Sequence, residues 1–156
     1  MPLKQKLKDF LDENRVKYIT MFHSAAYTAQ ELAHTLHIPG KMFAKTVVLK
    51  SNGKYLMAVL PATHKVNFNL FKKVAHVNEL ELPAEDDVMK HFPQCEAGAM
   101  PPFGNLYEMP VYVDVSLTED KEIYFNATSL YEVIRMSFRD YENLVHPVVG
   151  TFASHN

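Results

Sequence analysis

Apolar residues recur every three or four positions over residues 3–14, with lysines and acids between them. This spacing predicts an amphipathic helix. A strand is predicted at residues 18–22. Thr28 and Glu31 then form a capping-box pattern, which predicts a helix that ends at residues 39–40, a Pro-Gly pair.

A β-type pattern dominates the next stretch. Runs at residues 44–50 and 54–60 flank Asn52-Gly53, and Asn-Gly is the strongest short signal for a tight hairpin turn. Short helices are predicted at residues 68–75 and 83–92, the latter with a proline and acids in its first turn.

Prolines and glycines interrupt residues 93–110, which show no hydrophobic period. We predict a long loop there, and long ordered loops in compact domains often carry function. Two later strands are predicted at residues 111–117 and 122–125. A second capping box, formed by Ser129 and Glu132, predicts a helix that contains Val133, Ile134 and Met136. A helical turn is predicted at residues 140–145. Together the elements predict an α+β fold whose strands mostly pair with their neighbours in hairpin fashion.

The composition is that of an ordinary folded domain. The chain has 156 residues, of which 47% are hydrophobic and 22% charged, and a net charge of −2, so we expect a single domain over residues 1–156. Cys95 is the sole cysteine, which excludes an internal disulfide and favours a reducing compartment. No signal-peptide core or membrane-spanning apolar stretch is present in the sequence. We therefore expect a cytoplasmic protein with no membrane partner.

Charge is segregated along the chain. Residues 41–73 contain seven lysines and no acid, whereas residues 79–122 contain eleven acids and only two lysines. The basic tract predicts a local polyanion-binding face on a mildly acidic protein. Two solvated surfaces of opposite sign are an equal alternative on charge alone.

Several common chemistries find little support. His34 and His37 are three residues apart on a predicted helix, so both could bind one metal ion. No third metal ligand stands at a matching spacing, and solvated histidines are therefore the better interpretation. Cys95 is a candidate nucleophile, but the adjacent Glu96 would raise its pKa, which favours an inert buried thiol. Nucleotide-binding glycine loops and the serine-hydrolase elbow are absent from the sequence. We expect no metal and no cofactor.

Two features remain as candidates for chemistry. Lys45 stands at the head of a predicted strand, where a buried ammonium would require an anionic partner or ligand. Gly98 lies in a segment stiffened by Pro101 and Pro102, and free backbone N–H groups on such a loop suit an oxyanion. The structural alternatives are an exposed edge-strand lysine and an ordinary turn.

Taken together, these residues resemble the YbaK/prolyl-tRNA-synthetase-associated domain family of trans-editing aminoacyl-tRNA deacylases, from about Leu3 to Val149. The matching parts are His23 with Thr28-x-x-Glu31, Lys45-Thr46, the loop Gly98-Ala99-Met100-Pro101-Pro102-Phe103-Gly104, and Ile123-Tyr124-Phe125-Asn126-Ala127. The resemblance implies a mixed, largely antiparallel β-sheet with flanking short helices. It also implies hydrolysis of mischarged aminoacyl-tRNA with neither a metal nor a protein nucleophile.

The resemblance also implies roles for individual residues. Lys45 and Gly98 are the expected catalytic residues. Substrate-binding residues are expected at His23, Thr28, Thr46, Ala99, Met100, Pro101, Pro102 and Asn126. From the basic tract, tRNA-binding residues are expected at Lys41, Lys65, Lys72 and Lys73. Mischarged tRNA is the expected partner, and an aminoacyl-tRNA synthetase is a candidate partner.

Two positions depart from the family pattern. Pro101 stands where many members have a hydroxyl residue, and Thr128-Ser129 stands where many are rich in glycine. Both bear on which amino acid is accepted, and the sequence does not select it. Two other function classes stay open: a module that binds tRNA or another adenosine ligand without hydrolysis, and an interaction domain that has lost its ligand.

Overall fold

A computed structural model describes residues 3–22, 38–96, 98–129 and 131–155. Within these ranges the strands are β1 (Tyr18–Phe22), β2 (Ala44–Ser51), β3 (Lys54–Pro61), β4 (His64–Val66), β5 (Val111–Asp114), β6 (Glu122–Asn126), β7 (Glu132–Ser137), β8 (Val148–Gly150) and β9 (Ala153–His155). The α-helices are α1 (Leu3–Glu13), α2 (Phe68–Ala75), α3 (Glu85–His91) and α4 (Phe138–Val145). The helix predicted from Thr28, together with His34 and His37, lies outside the described residues.

The strands form mixed, largely antiparallel sheets. One sheet has the order β2-β3-β5-β8, with β2 antiparallel to β3 and the other pairs parallel. A second sheet, β1-β7-β6, and the pair β4-β9 are antiparallel. A parallel bridge between Phe43 and Tyr124 connects the start of β2 to β6. The predicted α+β class with short flanking helices is confirmed.

The predicted hairpin forms between β2 and β3, whose residues pair from Ala44 with Pro61 to Ser51 with Lys54. Asn52 and Gly53 both have positive φ, at 50° and 79°. A two-residue turn with positive φ at both positions matches the right-handed twist of the strands, which explains why Asn-Gly predicts it so well.

Alternating residues of the β2–β3 hairpin pack against different layers. One face, including Val48, Met57 and Val59, packs with α1 and α4 in the largest apolar cluster. The opposite face, including Leu49, packs with Phe71 of α2. Because side chains alternate along a strand, neighbouring residues of β2 project to different layers of the protein.

Two predicted elements were wrong. The helix expected after the capping box of Ser129 and Glu132 is instead strand β7, which lies between β1 and β6. Its apolar residues are buried by the neighbouring strands, and this packing overrides the local capping signal. The strand expected at 111–117 stops at Asp114, whose side chain accepts a hydrogen bond from the amide of Ser116 and caps a 3₁₀ turn.

In the ranges that the structure describes, every helix is too short or too polar to cross a membrane.

Candidate functional site

A cavity of about 310 Å³ lies along the outer edge of β2, a volume at the lower end of the range of small-molecule sites. Its lining combines Thr46, Val47 and Val48 of β2 with one side of α3 and the loop that contains Gly98 and Met100. The structure therefore brings together Thr46, Gly98 and Met100 from the predicted site.

The loop is held in place by hydrogen bonds to two neighbouring elements. The amide of Glu96 donates to the carbonyl of Thr128 at 2.9 Å, and the amide of Thr128 donates to the carbonyl of Ala99 at 3.0 Å. The hydroxyl of Tyr141, a fully buried residue of α4, donates to the carbonyl of Pro102 at 2.6 Å. Ala99, Met100, Pro101 and Pro102 are all buried. The loop is therefore a rigid wall of the cavity.

Gly98 adopts a left-handed conformation with φ of 77°, and a Cβ at this position would meet no atom within 4 Å. The glycine is thus required by the backbone conformation rather than by crowding. Within the described ranges, the amides of Gly98 and Met100 donate to no acceptor. Both residues line the cavity, which makes these amides candidate donors to a ligand oxygen.

Two predicted substrate-binding residues carry buried oxygens that lack a hydrogen bond. Thr46 Oγ1 and Asn126 Oδ1 are buried and unpaired among the described residues. Buried polar atoms are normally paired, and an unpaired one costs free energy. Thr46 lines the cavity, so its unpaired oxygen is a candidate to pair with a substrate, whereas Asn126 is not among the described lining residues.

Lys45 is half-buried, and its Nζ donates to the carbonyl of Ala62 at 3.4 Å. No described carboxylate lies within ion-pair distance of it. Burial lowers the pKa of Lys45. An ammonium that is partly removed from water without an acidic partner is poised to bind an anion.

Lys45 does not line the cavity itself. Strand alternation sends its side chain to the face opposite Thr46. The parallel bridge of Phe43 with Tyr124 places the start of β2 beside β6, the strand that ends at Asn126. Thr128, two residues after β6, is hydrogen-bonded to the loop, so β6 links the start of β2 to the loop.

Cys95 is buried and lies at the cavity wall, with Sγ 3.4 Å from the hydroxyl of Tyr107. Burial raises the pKa of Cys95, and the hydrogen bond with Tyr107 opposes this only in part. The thiol is therefore unsuited to act as a nucleophile near neutral pH. Across the described ranges, no group of three His, Cys, Asp or Glu side chains is placed to hold a metal ion.

The expected tRNA-binding lysines lie at the surface or near it. Lys41 and Lys65 are exposed, Lys73 is exposed and Lys72 is partly buried in the last turn of α2. The fold partly offsets the segregation of charge along the sequence, because Lys50 of the same tract forms a 3.4 Å ion pair with Asp87.

Sequence reasoning did not identify α3 as part of the site. Val88, Met89 and Phe92, in and just after α3, line the cavity, and no residue of α3 is fully buried. The available signal in the sequence was a group of apolar residues in an otherwise polar helix. His23 and Thr28 of the predicted site lie outside the described residues.

Comparison with known proteins identifies the family of this chain. A family model of the aminoacyl-tRNA editing domain matches residues 23–144. The chain is 31% identical over 65 residues to a proline–tRNA ligase of Fervidobacterium nodosum, covering 42% of this chain and 11% of that one. It is 25% identical over 115 residues to the proline–tRNA ligase of Caldicellulosiruptor saccharolyticus, covering 74% and 20%. The chain thus spans about a tenth to a fifth of the length of these curated relatives.

A solved structure of a candidate trans-editing enzyme for prolyl-tRNA synthetase has the same fold. The TM-score is 0.82 and the sequence identity 15%, with 99% of this chain and 98% of the other covered.

Proposed function

The chain belongs to the aminoacyl-tRNA editing domain family, and we propose that it hydrolyses the ester bond of mischarged aminoacyl-tRNA. The observation that carries this proposal is the cavity beside β2, where Thr46, whose buried Oγ1 has no described partner, lies with Gly98 and Met100, whose amides donate to no described acceptor. Next to Thr46 in the sequence is Lys45, whose half-buried ammonium has no described acidic partner, and β6 ends at Asn126, whose buried Oδ1 is also unpaired among the described residues. Together they supply a cation, hydrogen-bonding groups and oxyanion donors.

In the proposed reaction, a water oxygen attacks the carbonyl carbon of the ester. The carbonyl oxygen gains negative charge in the tetrahedral intermediate, and the amides of Gly98 and Met100 donate hydrogen bonds to it. Removal of one such donor typically costs about 3–4 kcal/mol of transition-state stabilisation. The bond to the ribose oxygen then breaks, and the ribose oxygen takes one proton of the attacking water. The amino acid leaves as its carboxylate, and the second proton of the water passes to solvent.

We assign Lys45 to anchoring the phosphate or sugar of the terminal adenosine rather than to proton abstraction. A general base near neutral pH would need a pKa about 3 units below that of free lysine. Burial does lower the pKa of Lys45, but no neighbouring cation is among the causes, whereas an anchoring role requires only the charge.

No protein nucleophile and no metal take part in the proposed reaction. An aminoacyl ester is already activated, so holding the ester and placing a water are sufficient. The raised pKa of the buried Cys95 thiol supports this assignment.

The proposed substrate also defines the partners. Lys65, Lys72 and Lys73 would contact phosphates of the tRNA, an interaction that releases counterions. The similarity to proline–tRNA ligases supports a synthetase as an additional partner, for which this protein would act in trans.

The decisive experiment is a panel of tRNAs charged with correct and incorrect amino acids, in which loss of the ester is followed with time. Loss above the spontaneous rate for particular pairs supports the hydrolase and identifies its amino acid. Binding of tRNA without ester loss would indicate a binding module instead of a hydrolase. Absence of both binding and ester loss would indicate an interaction domain.

A further inference from the structure

Two histidines take no part in the proposed reaction, and one of them, His64, interacts electrostatically with Lys45. His64 of β4 pairs in register with His155 of β9, and their rings stack with centroids 4.5 Å apart and planes inclined by 34°. The carbonyl of Ala62, two residues before His64, accepts the hydrogen bond from Lys45. Lys45 therefore contacts the short segment that leads into β4, the strand that carries His64.

One cation and one acid act on His64. Lys45 interacts electrostatically with it, and so does Asp114 of β5. The exposed Lys65 follows His64 on β4, where strand alternation directs its side chain to the opposite face. Asp114 is buried, and its Oδ1 already accepts two hydrogen bonds at 2.9 Å from the amides of Phe152 and Ala153. These hydrogen bonds keep Asp114 ionised, since they lower its pKa, so an incoming phosphate must outweigh this charge through Lys45 and a protonated His64.

The ring of His64 has one nitrogen available to a ligand. Its Nδ1 lies 2.9 Å from the hydroxyl of Thr63, and no described residue is paired with Nε2. Burial, followed by the influence of His155 and Lys45, lowers the pKa of His64. His64 is therefore mostly neutral near pH 7, and an anion placed between these groups would favour its protonation.

We propose that His64 and His155 form, with Lys45, a phosphate site that takes the phosphodiester group preceding the terminal adenosine of tRNA and gains a proton when that phosphate binds. This inference rests on the proposed function, because it places the acceptor end at Lys45. Free phosphate shares the same chemistry, so the test must distinguish the two sources.

The test uses three probes: the trinucleotide CpCpA, adenosine and inorganic phosphate. Dissociation constants are measured by NMR titration from about pH 6 to 8, the range in which histidine titrates. We expect CpCpA to bind more tightly as the pH falls, by at most about tenfold per pH unit for one proton. We expect no such trend for adenosine and much weaker binding of inorganic phosphate. The imidazole signal of His64 should report a higher pKa when CpCpA is bound.

His64→Gln and His155→Gln should each flatten the pH dependence, whereas His146→Asn should preserve it. His146 is an exposed histidine that follows α4 with positive φ, a conformation that asparagine tolerates. The wild-type titration of His64 keeps the test valid even if a variant folds poorly.

An affinity for CpCpA that does not vary with pH, or an unchanged pKa of His64, overturns the proposal. Equal affinity for inorganic phosphate and CpCpA overturns the assignment to the acceptor end. Proton-linked binding of CpCpA without any ester hydrolysis would preserve this site and refute the hydrolase, so the two failures are distinguishable.

Discussion

Replacement of Lys45 by alanine should separate catalysis from stability. The lysine forms one long hydrogen bond, 3.4 Å from Nζ to the carbonyl of Ala62, and no described ion pair. Removing it also removes the cost of burying an ammonium. We therefore expect the free energy of unfolding of Lys45→Ala to stay within about 1 kcal/mol of the wild type, as for most substitutions outside a core.

The effect on hydrolysis should be much larger. Two unit charges about 4 Å apart, at the effective dielectric constant of about 20 that suits partly buried pairs, interact by about 4 kcal/mol. Loss of an interaction of that size lowers kcat/KM by about a thousandfold. Because Lys45 is only half-buried, water will reduce this value, and we expect a loss of about a hundred- to a thousandfold.

The assay follows the release of amino acid from the mischarged tRNA that the wild type hydrolyses fastest, with melting temperatures measured in parallel. Lys54→Ala is the matched control, since Lys54 is an exposed lysine at the start of β3. Lys45→Arg tests the role: anchoring predicts partial activity if the larger head fits, whereas a general base predicts an inactive enzyme at every pH. Hydrolysis by Lys45→Ala at the wild-type rate would refute the proposed site.

Four further changes test other parts of the molecule. Gly98→Val should abolish hydrolysis and lower the melting temperature, because φ of 77° strains a β-branched residue. Unchanged activity would show that the loop takes no part in hydrolysis. Lys72→Glu with Lys73→Glu should weaken tRNA binding and reduce the slope of log affinity against log salt concentration, while hydrolysis of a short aminoacyl-adenosine mimic continues; an unchanged slope would place the tRNA face elsewhere. Cys95→Ala should retain hydrolysis, and a trapped thioester in the wild type would contradict this. Glu132→Gln should cost about 1–3 kcal/mol at neutral pH, less than a fully buried pair, since Glu132 is 1% exposed but its partner Lys4 is 40% exposed. The ion pairs with Lys4 and Lys8 lower the pKa of Glu132, so its stabilisation is present above the unfolded pKa and should disappear as pH falls through the folded pKa. Urea unfolding of the wild type and the variant, at neutral pH and at a pH below the folded pKa, measures this. An equal difference in unfolding free energy at the two pH values would contradict it.

The sequence predicted elements best where the local signal and the tertiary packing agree. The hairpin at Asn52-Gly53 and helix α1 each have a period or a turn signal that the fold then uses. The sequence failed at Glu132, where the capping-box pattern predicted a helix. The carboxylate instead sits on a central strand and binds two lysines of α1 at 2.9 and 2.8 Å, partners more than a hundred residues away in sequence.

For the candidate site, sequence patterns identified residues but not their arrangement. Thr46 and Asn126 emerged from resemblance, and the structure adds that each has a buried oxygen without a described partner. The contribution of α3 to the cavity and the stacking of His64 on His155 depend on pairings between distant segments. No local period encodes such pairings.

Lys45 and Thr46 are neighbours on β2 whose side chains point to opposite faces, and this arrangement divides the proposed site into two sides. Thr46 faces the largely apolar cavity beside α3, which suits the amino-acid side chain, whereas Lys45 faces the side on which His64 lies. If the proposed function holds, substitutions on the cavity side should change which amino acid is removed. Substitutions on the Lys45 side should lower the rate for every amino acid alike, because they act on the adenosine and phosphate common to all charged tRNAs.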